Sequence, residues 1–340
     1  VKLKGGDRHT YAGGSGKDIV YISGGDGHTV NAGDGTNKIT VYAGAGHTIT
    51  SGNGNDTIYV LQGNNNILNG GQGDDILQIV DSADNMLTGG NGNDTFIFSN
   101  ETGNNIITDY TERQDVIRLN NGIISATEIP TASADVTFTI NDSSITLQNG
   151  VGKVISIEDI RGSYTVSDTD IVLGANFSGT MDISVYLDTV HTVDGRNAVN
   201  AITAFGGSGR DTLYGGGSAD YLYGGNGNDE LNGGEGNDFL YGDADDDWLY
   251  GEDGDDNLYS GMGNDHLYGG TGNDVFWFDS GNDIIYDFDS GNDAIRLISS
   301  ELIDFGVSGN DAILTLSNGG TITLIGMAGQ TIDYADADGN

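Results

Sequence analysis

Apolar residues recur in this chain at a fixed interval, and the interval changes between two blocks. Residues 206–277 divide without a gap into eight nonapeptides: GGSGRDTLY, GGGSADYLY, GGNGNDELN, GGEGNDFLY, GDADDDWLY, GEDGDDNLY, SGMGNDHLY and GGTGNDVFW. The eighth position is always apolar, as Leu213, Leu222, Leu231, Leu240, Leu249, Leu258, Leu267 and Phe276. The sixth is always Asp, as Asp211, Asp220, Asp229, Asp238, Asp247, Asp256, Asp265 and Asp274. Before residue 100 the period is 19, seen in Val30, Ile49, Leu68, Leu87 and Ile106 and in Gly16, Gly35, Gly54, Gly73 and Gly92. Each 19-residue unit has two halves. One carries an acid, as in GNGNDTIYV (52–60) and GGQGDDILQ (70–78); the other lacks it, as in GGDGHTVNA (24–32) and AGAGHTITS (43–51).

This pattern predicts strands. Gly recurs every few residues, and each Gly costs a helix about 1 kcal/mol relative to Ala. A six-residue Gly/Asp turn followed by a three-residue strand suits a coil of two short strands, so two nonapeptides make one coil of 18 residues. The apolar side chains then point inward from both sheets and stack coil on coil at about 4.8 Å. Gly supplies the positive φ that tight turns need. Each block is followed by a similar non-repeating tail. The first contains NNIITDYTERQDVIRL (104–119) and ITLQNGVGKVISIEDI (145–160); the second contains NDIIYDFDSGNDAIRL (282–297) and ITLIGMAGQTIDYAD (322–336). The expected order is all-β: a 19-residue-repeat roll over 1–100, a β-rich cap over 101–162, a connector with strands over 163–205, a 9-residue-repeat roll over 206–278 and a second cap over 279–340. Within the connector, DISVYLDTV (182–190) alternates as a strand does. The chain starts at Val1 and is repetitive by Gly5–Gly6, so a piece of a longer protein is expected.

Charge adds the chemistry. Acids outnumber bases 51 to 12, a net charge of −39. With no Cys there is no disulfide scaffold, and with one Pro there is no collagen. No run of eighteen apolar residues predicts a membrane span, and the charge repels phosphate backbones, so nucleic acid is not an expected partner. Hydrophobic residues make up 36% of the chain, too many for simple disorder. Like charges oppose compaction, and after residue 165 the only Lys or Arg residues are Arg196, Arg210 and Arg296. Asp carboxylates on one coil edge stand about 4.8 Å from those of the next, so another cation must separate them. Calcium accepts six to eight oxygens from carboxylates and carbonyls. Magnesium demands stricter geometry and holds its water; zinc and copper favour N or S ligands. Calcium, several ions per block, is therefore the expected partner.

The motif GGxGxDxUx resembles the RTX (repeats-in-toxin, haemolysin-type) family of calcium-binding repeats. The resemblance implies right-handed parallel β-rolls. It makes the Asp columns carboxylate ligands: Asp18, Asn37, Asp56, Asp75 and Asp94 in the first block and Asp211 to Asp274 in the second. Turn carbonyls at positions such as Gly207, Gly209, Gly225, Gly227, Gly234 and Gly236 supply the rest. It also implies a secreted or cell-surface bacterial protein, exported unfolded by type I secretion and folding where calcium is plentiful. The tails, with Asp109-Tyr110 and Tyr286-Asp287-Phe288, resemble the caps that follow such blocks. The 19-residue pattern is similar to repeats of large bacterial adhesins, including ice-binding ones.

The blocks are expected to differ in ion load. Both edges of the second carry Asp, which suggests roughly six ions if each lies between successive turns. The first carries its acids on one edge; the other bears His9, His28, His47, Asn66, Asn85 and Asn104, which predicts a metal-free ladder of side chains. The Asn37 site is expected to be the weakest of its column, because an amide lacks charge. A zinc or nickel site on the His column would need a closed ligand set and second-shell partners. Rows of Tyr214, Tyr223, Tyr241, Tyr250, Tyr259, Tyr268 and Trp277 offer the alternative role, contact with a glycan or a protein surface in an adhesin or an accessory module of a polysaccharide-acting enzyme. Catalysis is not expected. His191 lies near Asp188, Thr189 and Asp194, but sequence proximity does not make a triad.

Overall fold

The computed structural model describes all residues except 100–102, 121, 123, 125, 129–133, 141–142, 152, 160, 168–169, 183–190 and 336–340. The expected strand over 182–190 lies outside the described residues beyond its first position. No described helix is long and apolar enough to cross a membrane. The chain is all-β and forms two compact units, Val1–Asp168 and a second that starts at Thr169.

The first unit is a parallel β-solenoid with two strands per coil. One sheet stacks Thr10–Gly14, Thr29–Gly33, Thr48–Asn53, Ile67–Gln72 and Met86–Asn91; the other stacks Ile19–Ser23, Lys38–Ala43, Thr57–Val60, Ile76–Val80 and Thr95–Ser99. Each strand pairs with the one 19 residues on, as Ile49↔Leu68 and Ile58↔Leu77. The 19-residue beat in the sequence is thus the length of one coil. Val30, Ile49, Leu68 and Leu87 face Val20, Ile39, Ile58, Leu77 and Phe96 across a narrow core, all at most 1% exposed. At the cap the beat slips. Met86 pairs with Ile106 and Leu87 with Ile107, so Ile107, not Ile106, continues the inward column. One extra residue has entered before Ile107 and a second before Ile117, which pairs with Phe96, so the insertions are absorbed outside the strands and the inward columns continue.

The second unit repeats the architecture with 18-residue coils, as Leu213↔Leu231 and Leu222↔Leu240 show. Leu213, Leu222, Leu231, Leu240, Leu249, Leu258, Leu267 and Phe276 are wholly buried. Each contributes about 1.5–3 kcal/mol by burial. Segments expected as connector join this stack: Asp170–Leu173 pairs in parallel with Thr192–Asp194, and Gly179–Asp182 with Ile202–Ser208. Both caps share one plan. A parallel coil continues the roll, antiparallel strands follow, and a later strand returns to pair in parallel with that coil. This strand is Ser143–Leu147 against Asn104–Ile107 in the first cap and Thr321–Leu324 against Ser280–Ile285 in the second.

Close stacking of turns explains the glycines. Gly225 has φ 106° and Gly227 φ 118°, and an added Cβ would lie 2.3 Å and 1.8 Å from the carbonyl oxygens of Gly207 and Gly209 one coil back. Asp243, Asp245 and Glu252 take positive φ as well, 73°, 76° and 77°, where the motif has Gly. Asp tolerates this region better than most residues; Glu252 has no such advantage, and its carboxylate accepts from Asn232 Nδ2 at 2.9 Å.

Candidate metal centre

Turn stacking places each Asp beneath the turn of the previous coil. There, beyond the first Asp of a column, one carboxylate oxygen does the same thing coil after coil: Oδ1 accepts the backbone N–H of the equivalent residue one coil back. The second block repeats this from Asp211 N–H to Asp229 (2.8 Å), Asp220 to Asp238 (2.7 Å), Asp229 to Asp247 (2.8 Å), Asp238 to Asp256 (2.7 Å), Asp247 to Asp265 (2.9 Å) and Asp256 to Asp274 (2.9 Å). The first block does so from Asp56 to Asp75 (2.7 Å) and Asp75 to Asp94 (2.8 Å).

The other oxygen has no donor. Oδ2 of Asp56, Asp75, Asp94, Asp211, Asp229, Asp238, Asp247, Asp256, Asp265, Asp274 and Asp283 is buried without a hydrogen-bond partner. Its surroundings are further acceptors. A Cβ built on Gly70 would lie 2.3 Å from Asp75 Oδ2 and 2.6 Å from the Gly89 carbonyl oxygen; on Gly251 it would lie 2.4 Å from Asp256 Oδ2 and 2.5 Å from the Gly269 carbonyl oxygen. A carboxylate and a carbonyl of the next coil thus flank one small space that only Gly leaves open. An unpaired buried charge costs several kcal/mol. Burial accordingly pushes the carboxyls of Asp75, Asp229, Asp265 and Asp274 up to about 7, Asp238 and Asp283 to about 8 and Asp247 to about 9, against the backbone N–H bonds that lower them. A hard cation fits this donor set of oxygens. Among the described residues, no three His, Asp or Glu side chains converge as a metal-holding group, so a site here needs backbone carbonyls beside the carboxylates.

Not every column member is left in this state. Asp18 accepts from Tyr11 Oη at 2.9 Å through Oδ1 and from Gly14 N–H at 3.4 Å through Oδ2. Asp220 Oδ2 accepts from Gly216 N–H at 2.6 Å. Asp211 opens the second column, and the donor to its Oδ1 is His191 Nδ1 at 3.0 Å. Asp188 and Thr189 lie outside the described residues.

Three column members were not among the expected ligands. Asp283 takes the Asp265 N–H at 3.0 Å and has an orphaned Oδ2, so it extends one column into the cap. Gly281-Asn282-Asp283 is the signal, a repeat fragment inside the tail. Asp115 and Asp293 end their columns. Each accepts the preceding Asp N–H, from Asp94 at 2.8 Å and Asp274 at 3.0 Å. Their Oδ2 atoms accept local N–H groups instead, from Thr111 at 2.7 Å and Asp289 at 2.8 Å. On these two columns the caps therefore stop the demand for a cation with a backbone donor. Asp109 and Asp287 grip the last turns in the same way in both caps, each accepting two successive glycine N–H groups at 2.8–2.9 Å.

The acid-free edge of the first block runs the same ladder with different atoms. His9 N–H donates to His28 Nδ1 (3.0 Å), His28 to His47 Nδ1 (3.2 Å), His47 to Asn66 Oδ1 (3.0 Å), Asn66 to Asn85 Oδ1 (3.0 Å) and Asn85 to Asn105 Oδ1 (3.1 Å). The extra cap residue puts Asn105 in the column where the regular spacing predicts Asn104. Asn66 and Asn85 spend their Nδ2 on neighbouring oxygens, and His9 and His28 place Nε2 3.0 Å from the carbonyls of Gly5 and Gly24. The imidazoles stack at 5.1 and 5.0 Å. With Nδ1 accepting a backbone N–H and Nε2 facing a carbonyl, His28 has no ring nitrogen left for a metal; His47 Nδ1 accepts the same way, while its Nε2 is buried without a partner.

What the geometry defines is a β-solenoid whose turns pair carboxylates with carbonyls across successive coils. The family model of the RTX calcium-binding nonapeptide repeat (four copies) matches residues 32–67, 42–77, 80–99, 203–231, 232–267 and 254–285. Both blocks therefore carry repeats of the RTX family, whose nonapeptides bind calcium. No curated protein matches the chain. Among solved structures, the extracellular lipase LipA from Serratia marcescens is similar over 77% of this chain at 15% identity and a TM-score of 0.25. The similarity covers 38% of that lipase chain.

Proposed function

We propose that this chain is a calcium-dependent structural region of a secreted or cell-surface protein, without catalysis of its own. The observation that carries this reading is the set of buried, partnerless Asp Oδ2 atoms that face carbonyl oxygens. The Asp side chains would hold the ions together with turn carbonyls: those expected at Gly207, Gly209, Gly225, Gly227, Gly234 and Gly236, and those such as Gly89 and Gly269 that flank Oδ2. Calcium supplies the positive charge that lets stacked carboxylates stay ionised in a dry turn. The protein's part is done by the ladder: Oδ1 is fixed by a backbone N–H, which aims Oδ2 into the turn.

Function then follows from linkage. An ion that binds only the folded coils adds about 2.7 kcal/mol per site at a hundredfold excess over Kd. Several sites together rival the entire 5–15 kcal/mol stability of an ordinary domain. Where calcium is scarce the chain, at −39, repels itself open; where it is abundant the coils close. This suits export unfolded, by a type I route, followed by folding outside the cell. Calorimetry tests it: the expected result is an unfolding transition that collapses in EGTA and returns on adding Ca²⁺. A transition unchanged by EGTA would sink the reading.

The glycan reading draws no support from the aromatic rows. Phe205, Tyr223, Tyr241, Tyr259 and Trp277 stack on one another at 4.7, 4.6, 4.4 and 5.3 Å. Ring faces that cover each other are not free to cover a sugar.

A further inference from the structure

Asn37 stands in the acid column of the first block, where its neighbours are Asp18, Asp56, Asp75 and Asp94. Its Oδ1 does what theirs does and accepts a backbone N–H, from Asp18 at 2.8 Å. That bond fixes the amide's orientation, because a flip would set two N–H groups against each other. Nδ2 is thereby aimed into the turn, where the Asp residues aim Oδ2. It lies 3.0 Å from the Gly33 carbonyl oxygen, 3.1 Å from that of Gly35 and 3.0 Å from that of Ser51 on the next coil. At Asp75 the carbonyl equivalent to Ser51 is that of Gly89, which flanks the orphaned Oδ2.

We propose that the Asn37 amide replaces a calcium ion: its two hydrogens bridge the three carbonyls that would otherwise ligate the cation, so this turn is closed without metal. The inference rests on the calcium reading of the neighbouring turns and changes what the sequence suggested. Asn37 is not a weak ligand in a filled site but the occupant of the site. The amide carries no charge, so the turn needs none to balance it. One rung of the calcium edge thereby stays closed when calcium is absent, next to the Asp56 turn, whose Oδ2 has no donor.

The test is a pair of reciprocal substitutions in the full chain, with Ca²⁺ titrated by calorimetry and melting followed in EGTA. N37D exchanges the two hydrogens for a second orphaned oxygen. It is expected to bind about one more ion per chain than the parent and to melt lower in EGTA. D75N makes the opposite exchange; it is expected to bind about one ion fewer and to melt higher in EGTA. If N37D fails to fold, D75N alone decides. Equal ion counts in all three proteins, with the parent binding calcium, overturn this inference and leave the calcium reading standing. A parent that takes up no calcium overturns both.

Discussion

The two edges of the first block share one backbone arrangement and differ in a single atom per coil. On both, a side chain accepts the N–H of its counterpart one coil back. On one edge, at Asp56, Asp75 and Asp94, the remaining atom is Oδ2, which has no donor; on the other, at His28, Asn66 and Asn85, it is a ring or amide nitrogen facing an oxygen, while His47 Nε2 is buried there without a partner. The solenoid turn is thus indifferent to how its carbonyls are satisfied. An amide or imidazole does it with a covalent hydrogen, and a carboxylate needs an ion from solution. In the second block both edges are of the Asp kind.

This contrast predicts where the chain opens when calcium is removed. Hydrogen exchange in EGTA is expected to expose backbone amides throughout 206–285, on both sheets. In the first block the strands leading from the His/Asn edge, such as 67–72 and 86–91, are expected to keep more protection than their counterparts across the core. Uniform loss across both blocks would break the comparison.

Single substitutions sharpen it. Asp247→Ala strands the Asp229 N–H and removes one wall of a cation site, an expected cost of about 3–5 kcal/mol in calcium by analogy with breaking a buried charge pair. In EGTA the same substitution is expected to cost far less, since no ion contact is lost and only the acceptor for the Asp229 N–H goes. Asn66→Ala removes an acceptor for the His47 N–H and a donor to the Gly63 carbonyl. It is expected to cost about 1–3 kcal/mol, the same with or without calcium. Denaturant melts in both conditions give the four numbers.

The sequence made the ladders legible because each is a column at constant spacing. The inward Leu, the sixth-position Asp and the absence of acid on the His/Asn edge can all be counted. What it hid are places where spacing breaks or where a local backbone donor intervenes. Asn105 stands where counting predicts Asn104, because one inserted residue shifts the cap coil. Asp115 and Asp293 look like further ligands, yet Thr111 and Asp289 N–H groups meet their free oxygens, which depends on the fold of the cap turn. Nor could counting show that Asn37 closes its turn with its own amide, since that depends on where Nδ2 points.

Acidity is expected to act on the calcium-free chain and to have little effect once calcium is bound. In EGTA the folded carboxyls of Asp75, Asp229, Asp238 and Asp247 lie at about 7, 7, 8 and 9, above an unfolded value of about 3.9. Between those limits the folded chain holds more protons than the unfolded one, so stability falls as pH rises. Within pH 5 to 8 the calcium-free chain should therefore be most ordered at pH 5. With calcium bound the ion replaces those protons, and the unfolded carboxyls hold almost none above pH 5, so stability should be nearly flat over that window. Circular dichroism melts from pH 5 to 8, in EGTA and in Ca²⁺, read the two slopes; D247N should flatten the slope in EGTA. An equally steep fall in both conditions would refute the assignment of these oxygens to the ion.

The smallest effect belongs to the metal-free edge. His47 is wholly buried with Nδ1 accepting the His28 N–H, and burial holds its pKa below the ordinary value of about 6.5, with the nearby His28 adding to that and Asp26 opposing it. A second proton would have to go on Nδ1, hydrogen against hydrogen. A depressed histidine contributes stability that is fully present above its unfolded pKa and is lost as pH falls through the folded one. Amides of the first three coils should therefore lose protection below about pH 6, by about tenfold for each unit separating the two values. His47→Asn keeps the acceptor, as Asn66 does one coil on, and cannot take the proton. It should leave the coils closed at pH 5, whereas the parent loosens there. Because Asn37 and Asn66 satisfy equivalent turns with an amide, a variant that loosens as the parent does would show that the imidazole ladder is not the part of this edge that senses the proton.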